Sequence, residues 1–304
     1  MRYLVTGADG FLGKHICQYL QIKNILYRAT ARCARNNTQF ETGDLSEFKN
    51  WPALFENIDT VIHAAAKAHD MSNAAELENV FYKINFKMTE NLAKQAKLNK
   101  IKKFLFISTI KVNGEFTTSK PFMADDLANP SDDYAKSKYL AEQALMKLHE
   151  PGVFDVIIIR PCLIYGAGVK GNFNSLAQLI QKKIPLPFGS VNNKRSVVST
   201  DNLISLIMNC LENSAGHGQI FLASDRADLS LTELIKSIAL ASRTKVILLP
   251  IPVFILKLIL KLSGKNDLAQ RLFLNLQVNT DKNYDLLKWE PEFSTEACLK
   301  KMIT

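Results

Sequence analysis

The stretch Thr6-Gly7-Ala8-Asp9-Gly10-Phe11-Leu12-Gly13 ends the apolar run Arg2 to Thr6 and opens an amphipathic pattern reaching Gln21. An apolar run that stops at a glycine and resumes with helical periodicity reads as strand, tight turn and helix. Gly7 permits the turn, Gly10 lets a backbone approach a pyrophosphate, and Gly13 lets the helix pack closely on the strand. The first helical turn, with Phe11 and Leu12, then offers unpaired N–H groups and the positive end of its dipole to a phosphate. These residues are the first cofactor-binding candidates. A kinase-type phosphate loop is excluded, because Ala8 and His15 stand where it needs Gly and Ser/Thr.

Outward from this turn, short apolar runs alternate with helical patterns. Strands are predicted at Arg2 to Thr6, Ile25 to Ala31, Asp59 to His63, Phe104 to Ser108 and Asp155 to Arg160. Helices are predicted near Phe11 to Gln21, Ser46 to Phe55, Ala74 to Leu98 and Tyr134 to His149. This repetition implies an α/β protein with a Rossmann-type doubly wound parallel sheet. Beyond about residue 165 helices dominate: Asn172 to Gln181, Asp201 to Leu211 and Ser230 to Ala241. The expected organisation is a dinucleotide-binding domain over 1–165 and a smaller, mostly helical substrate lobe over 166–304, interleaved with the sheet.

Composition narrows the function. The chain has 304 residues and a net charge of +9 spread along its length. Its densest basic cluster, Lys100 to Lys103, is short and leads into a strand, so nucleic acid is not the expected partner. A basic balance suits a polyanionic small molecule. Five cysteines without a C-x-x-C pair point to reduced thiols and a cytoplasmic location. The histidines lack metal-ligand spacing, so no metal is expected. The opening residues read as a strand rather than a signal peptide. The segment Val246 to Leu262 is very apolar, but Pro250 and Pro252 break it and Lys257 and Lys261 charge one face. The helix candidate beyond the prolines falls short of the roughly twenty residues that span a bilayer. Core or dimer packing is the reading taken, with interfacial membrane contact as the alternative.

Further residues fit a bound dinucleotide. Asp44 and Leu45 follow Gly43 after a short run, where a carboxylate reaches an adenine amine. Ala64 and Ala65 after His63 are small, as a backbone lying against a cofactor requires. Asn85 is a poor helix former inside a long helical pattern and reads as a side-chain tie to a neighbouring strand. Ser108 and Thr109 end a strand, and in a doubly wound sheet ligands sit at the carboxyl ends of strands. Tyr134 and Lys138, four residues apart, share one helical face. Alone, such a pair reads as a solvated first turn with the Tyr ring on the Lys stem, although a neighbouring ammonium also favours the phenolate of a tyrosine whose ordinary pKa is near 10.

Together T-G-x-x-G-x-x-G, H-x-A-A, Y-x-x-x-K and Arg160-Pro161…Tyr165-Gly166 resemble the extended short-chain dehydrogenase/reductase family, the nucleotide-sugar epimerases, dehydratases and reductases. The resemblance implies an enzyme with Tyr134, Lys138, Thr109 and a supporting Ser108 as catalytic residues. Lys138 would also hold the nicotinamide ribose, and Pro161 would touch the cofactor. It further implies a UDP-sugar substrate, with Leu186 and Phe188 beside the uracil and Asn172, Arg195 and Arg271 on the diphosphate. A homodimer through paired helices is usual in such folds.

Three departures sharpen the reading. The dehydratases carry Asp-Glu where this chain has Ile110 and Lys111, which disfavours elimination. Many epimerases carry an Asn where this chain has Leu163, which weakens simple epimerisation. The second strand ends at Arg32 with no acid, so the cofactor is NADP or NAD, with Arg32 placed for a 2′-phosphate. The subgroup most resembled includes reductases of 4-keto UDP-N-acetyl-6-deoxyhexoses that supply O-antigen. Reduction of such a sugar is the first expectation, and UDP-glucose or UDP-N-acetylglucosamine 4-epimerisation the alternative.

Overall fold

A computed structural model describes residues 2–67, 74–169 and 171–303; the side chains of 74–77, 172 and 267 lie outside that description. The first half lays down β1 (Tyr3–Thr6), α1 (Phe11–Ile22), β2 (Tyr27–Ala31), β3 (Gln39–Glu41), α2 (Trp51–Phe55) and β4 (Thr60–His63). It continues with α3 (Ala74–Phe81), a π-helical stretch (Tyr82–Lys87), α4 (Met88–Leu98), β5 (Lys103–Ile107), α5 (Asp133–Leu148) and β6 (Asp155–Pro161). The second half holds β7 (Leu163–Tyr165), α6 (Asn172–Gln181), β8 (Arg195–Ser199), α7 (Thr200–Glu212), β9 (Ile220–Ala223) and β10 (Asp228–Leu229). Helices α8 (Leu231–Ala241), α9 (Val253–Leu262), α10 (Asn266–Phe273), α11 (Asp281–Leu287) and α12 (Thr295–Ile303) complete it.

Seven strands form one sheet in the order β3-β2-β1-β4-β5-β6-β9, with every neighbouring pair parallel. Strands β1, β4 and β6 are buried along their whole length, as a parallel sheet covered on both faces demands. One apolar cluster packs α1 and α7 against one face, through Ile16, Leu20, Leu203 and Ile207. A second packs α4 and α5 against the other, through Leu92, Ala96, Ala141 and Leu145. Strand order turns back at β1, which lies between β2 and β4, and this switch point opens a crevice at the strands' carboxyl ends. A three-stranded sheet, β10-β8-β7, and helices α6, α8, α9, α10 and α12 enclose a third cluster beside it.

Three elements differ from the sequence reading. Helix α2 begins at Trp51 rather than near Ser46, because the Asp44 carboxylate accepts from Ser46 N (2.9 Å) and fixes a turn there. The long helix after residue 74 is broken by the π-helical stretch, and Asn85 sits within it. In the apolar segment, α9 does not sink into the core: only Leu256 of its ten residues is buried. Pro252 caps that helix and the neighbouring α10 lies against it, which leaves most of its circumference uncovered.

Candidate active site

The glycine turn and β4 meet at the switch point. Gly7 has φ +72°, and a Cβ there would lie 2.6 Å from Ala65 N, so β1 and the segment after β4 approach as closely as backbones allow. At Gly13 a Cβ would fall 2.1 Å from the Gly7 carbonyl, which fixes how tightly α1 seats on the turn. Helix α1 starts from Gly10 with no side-chain cap and no acidic residue in its first turn. No side chain thus competes for its first N–H groups, as an anion site requires. Leu12 is buried, whereas Phe11 is half-buried and packs edge-on against His15 (ring centroids 5.1 Å apart).

Behind the turn, His63 is fully buried between Thr6 Oγ1 (2.5 Å) and Thr89 Oγ1 (2.8 Å). Burial, helped by the charge of Lys138, pushes its pKa down to about 3, so it is a neutral structural tie. Asn85 accepts from Lys67 N (2.8 Å) and donates to Lys67 O (3.0 Å) and Ser137 Oγ (3.1 Å). It ties the segment after β4 to α5, as its place in the sequence suggested, and the π-turn is what brings its amide to both.

Helix α5 carries the central pair. Asp132 caps it by accepting from Ala135 N (2.7 Å), and Lys111 pairs with the same carboxylate. Tyr134 is half-buried, lies beside Thr109, and packs edge-on against Phe81 (6.0 Å). Thr109 follows β5, so the strand's carboxyl end and the start of α5 meet here. Lys138 is 1% exposed; its Nζ donates to Ile107 O (2.6 Å) and lies 3.9 Å from the Phe106 ring centroid. Ser108 is buried beside them, and its hydroxyl has no hydrogen-bond partner.

The electrostatics differ from the simple expectation of a phenolate held by an ammonium. Burial pushes Tyr134 up to about 12, with Asp132 adding to this and Thr109 opposing it. Burial also pulls Lys138 down to about 7, against the opposing pull of Glu142. Loss of water outweighs mutual attraction because the Lys138 ammonium is turned to a carbonyl and a ring.

One group here was not singled out from sequence. Glu142 and Arg160 form an ion pair that is 2% and 3% exposed, with Nε–Oε1 at 3.0 Å and Nη2–Oε2 at 2.6 Å. Arg160 Nη1 also donates to Asn113 Oδ1 (2.9 Å), so the pair couples α5, β6 and the loop after Thr109. Glu142 lies four residues after Lys138 on the same face, a spacing that by itself does not point to Arg160.

The remaining candidates are spread along the crevice edges. Arg32 and Asp44 are exposed beyond β2 and β3, where Arg32 contributes weakly to the field on Asp44. The Asp44 carboxyl is held below its usual range chiefly by its bonds to Ser46. Leu45 is half-buried, and Pro161 closes β6 beside Ala223. In the second half, Arg195 Nη1 donates to the Arg271 carbonyl (2.9 Å), and the two guanidinium groups repel. Burial first, and Arg271 with it, lower the Arg195 pKa. Among the described residues neither arginine has a carboxylate partner. Leu186 is 2% exposed within the third cluster, whereas Phe188 is half-buried at its edge. Asn172 begins α6, but its side chain lies outside the described residues. No metal-binding cluster occurs among the described residues, and all five cysteines are free thiols.

The chain is similar to several known proteins. A "UDP-glucose 4-epimerase" of Vibrio cholerae is 41% identical over 305 residues, covering 98% of this chain and 93% of its own. The fold matches a UDP-glucose 4-epimerase of Thermotoga maritima solved with UDP-glucose, with TM-score 0.79, 19% identity and coverage of 100% and 97%. It also matches RMD of Pseudomonas aeruginosa complexed with NADPH, with TM-score 0.75, 21% identity and coverage of 100% and 98%. Residues 3–223 match the model of the NAD dependent epimerase/dehydratase family, and to that family the chain belongs.

Proposed function

We propose that this enzyme moves hydride at C4 of a UDP-hexose, with 4-epimerisation as the leading reading. The observation that carries the chemistry is the placing of Tyr134 beside Thr109 at the carboxyl end of β5, with Lys138 buried one turn further along α5. Residues 1–165 would hold the dinucleotide and 166–304 the UDP-sugar. The glycine cradle and the uncapped α1 N-terminus fit a pyrophosphate, with Ala64 and Ala65 along the chain opposite. A bound nicotinamide supplies the hydride acceptor and donor.

Tyr134 takes the C4 hydroxyl proton as the carbon is oxidised and returns a proton to the oxygen on reduction. Thr109 shares that proton and orients the oxygen, with Ser108 in support. Lys138, when charged, favours the phenolate and offers its ammonium to a ribose hydroxyl. Elimination does not fit. Ile110 is buried in the core and Lys111 is tied to Asp132, so neither position offers an acid or base.

On the substrate side, two arginines converge without a carboxylate, the arrangement a diphosphate neutralises. The 41% identity to a 4-epimerase over nearly the whole chain favours epimerisation. Reduction of a 4-keto UDP-sugar is the second reading, favoured by the exposed Arg32 beyond β2 and by Leu163. A cytoplasmic homodimer completes the proposal, pairing the outer faces of α4 and α5, and suits five free thiols.

The purified protein should be incubated with UDP-glucose, UDP-N-acetylglucosamine and a 4-keto UDP-sugar, with and without NADH or NADPH. Interconversion of 4-epimers without net cofactor use supports the epimerase. Stoichiometric NADPH consumption with the 4-keto sugar alone replaces it with the reductase, and inertness toward every UDP-sugar refutes both.

A further inference from the structure

Helix α9 reads Val253-Phe-Ile-Leu-Lys-Leu-Ile-Leu-Lys-Leu262 and is anchored on one side only, by Leu256 with Val253 and Leu260 against the third cluster. Phe254 is 71% exposed, Leu258 54%, Ile259 56% and Leu262 81%. At about 100° per residue these side chains cover a contiguous sector of roughly 140°, and Lys257 and Lys261 fill the strip between it and the buried side. An apolar sector of that width facing water marks an interaction surface.

Charge identifies the occupant. Between Glu233 and Asp267 the sequence holds six lysines and arginines and no acid; between Asp155 and Asp201 it holds no acid and, besides Arg160 and Arg195, which are engaged within the fold, four lysines. The two stretches meet, since Leu186 N donates to Ile247 O (2.9 Å) and Leu249 N donates to Leu186 O (2.8 Å). Ile247 and Leu249 are themselves exposed where the two stretches meet, with Lys245 two residues before Ile247. A second copy is a poor occupant: a two-fold contact between α9 helices would bring Lys257 and Lys261 of both copies together, and α9 itself carries no acid to receive them. Crossing a bilayer is excluded for α9, because ten residues rise about 15 Å against a hydrocarbon core of about 30 Å.

We propose that the exposed face of α9 docks the enzyme on an anionic membrane surface. Phe254, Leu258, Ile259 and Leu262 enter the headgroup boundary while Lys257, Lys261 and the neighbouring Lys265 meet lipid phosphates. The inference is independent of the reaction assigned above.

Co-flotation of the full chain with phosphatidylcholine vesicles, and with vesicles that also contain phosphatidylglycerol, tests it. Binding roughly a hundred-fold tighter to the anionic vesicles is expected from three lysines at the surface. Leu258→Glu with Leu262→Glu should reduce it at least about ten-fold while leaving the thermal melt unchanged, since both side chains are exposed. Lys257→Gln with Lys261→Gln should shrink the anionic preference to a few-fold. Equal binding to both vesicles overturns the proposal, as does no binding to either. A wild-type dimer that the Leu258/Leu262 variant dissolves would also overturn it, by making a second copy the occupant.

Discussion

Replacing Glu142 by Gln keeps its size and shape but strips the charge that Arg160 faces. Arg160 is 3% exposed, and two of its three nitrogens donate to that carboxylate, leaving the Asn113 amide oxygen as its other side-chain acceptor. A guanidinium buried without its counter-charge destabilises a fold by about 3–5 kcal/mol. Urea unfolding of the wild type and Glu142→Gln, fitted with a common slope, measures this as a shift in midpoint. The second half of the reasoning needs the pair removed together. Glu142→Leu with Arg160→Met takes both charges out of the interior and should cost less than Glu142→Gln alone. A loss under about 1 kcal/mol for Glu142→Gln, the value of an exposed pair, would show that Arg160 is solvated and refute the account.

Other consequences are equally direct. Lys138 titrates near 7 folded and near 10.5 unfolded, so between those pH values the unfolded chain binds the extra proton. The wild type should therefore gain stability relative to Lys138→Met as pH rises from about 7 to 10. Parallel pH profiles for the two proteins would contradict the burial argument. Gly7→Ala needs a side chain at φ +72° and 2.6 Å from Ala65 N; it should destabilise by more than about 1 kcal/mol and weaken dinucleotide binding. Unchanged fluorescence titration with NADH and NADPH would separate the turn from the cofactor site. Arg195→Ala should raise the dissociation constant of UDP roughly ten-fold or more, because a charge-assisted bond contributes about 1.5–3 kcal/mol. Calorimetry that finds UDP affinity intact would return Arg195 to a purely structural role.

The sheet was legible because its signals are local. Gly7, Gly10 and Gly13 announce the turn, and runs such as Phe104 to Ile107 are too short and too apolar for anything but a buried strand. Tyr134, Lys138 and Thr109 were legible as residue types at known spacing, and the fold brings Thr109 to Tyr134 across 25 residues. The electrostatic balance was not legible. Whether Lys138 lowers the Tyr134 pKa or burial raises it depends on where Nζ points, and it points to Ile107 O. Glu142–Arg160 was missed because a Glu on an amphipathic helix reads as a solvated face until a strand eighteen residues on is known to lie against it. For α9, apolarity alone suggested packing; its exposure shows only in the fold, where Leu256 is the one buried residue of the helix.

The central claim is that Tyr134 moves the proton that accompanies hydride transfer. Tyr134→Phe removes one oxygen and leaves the ring against Phe81. Its single-turnover rate of cofactor oxidation or reduction, with the UDP-sugar that the wild type uses, is the most direct test. A fall of about 10²–10⁴-fold is predicted, with the dissociation constants of dinucleotide and UDP nearly unchanged. A variant that keeps more than about a tenth of the wild-type rate would show that another group carries the proton.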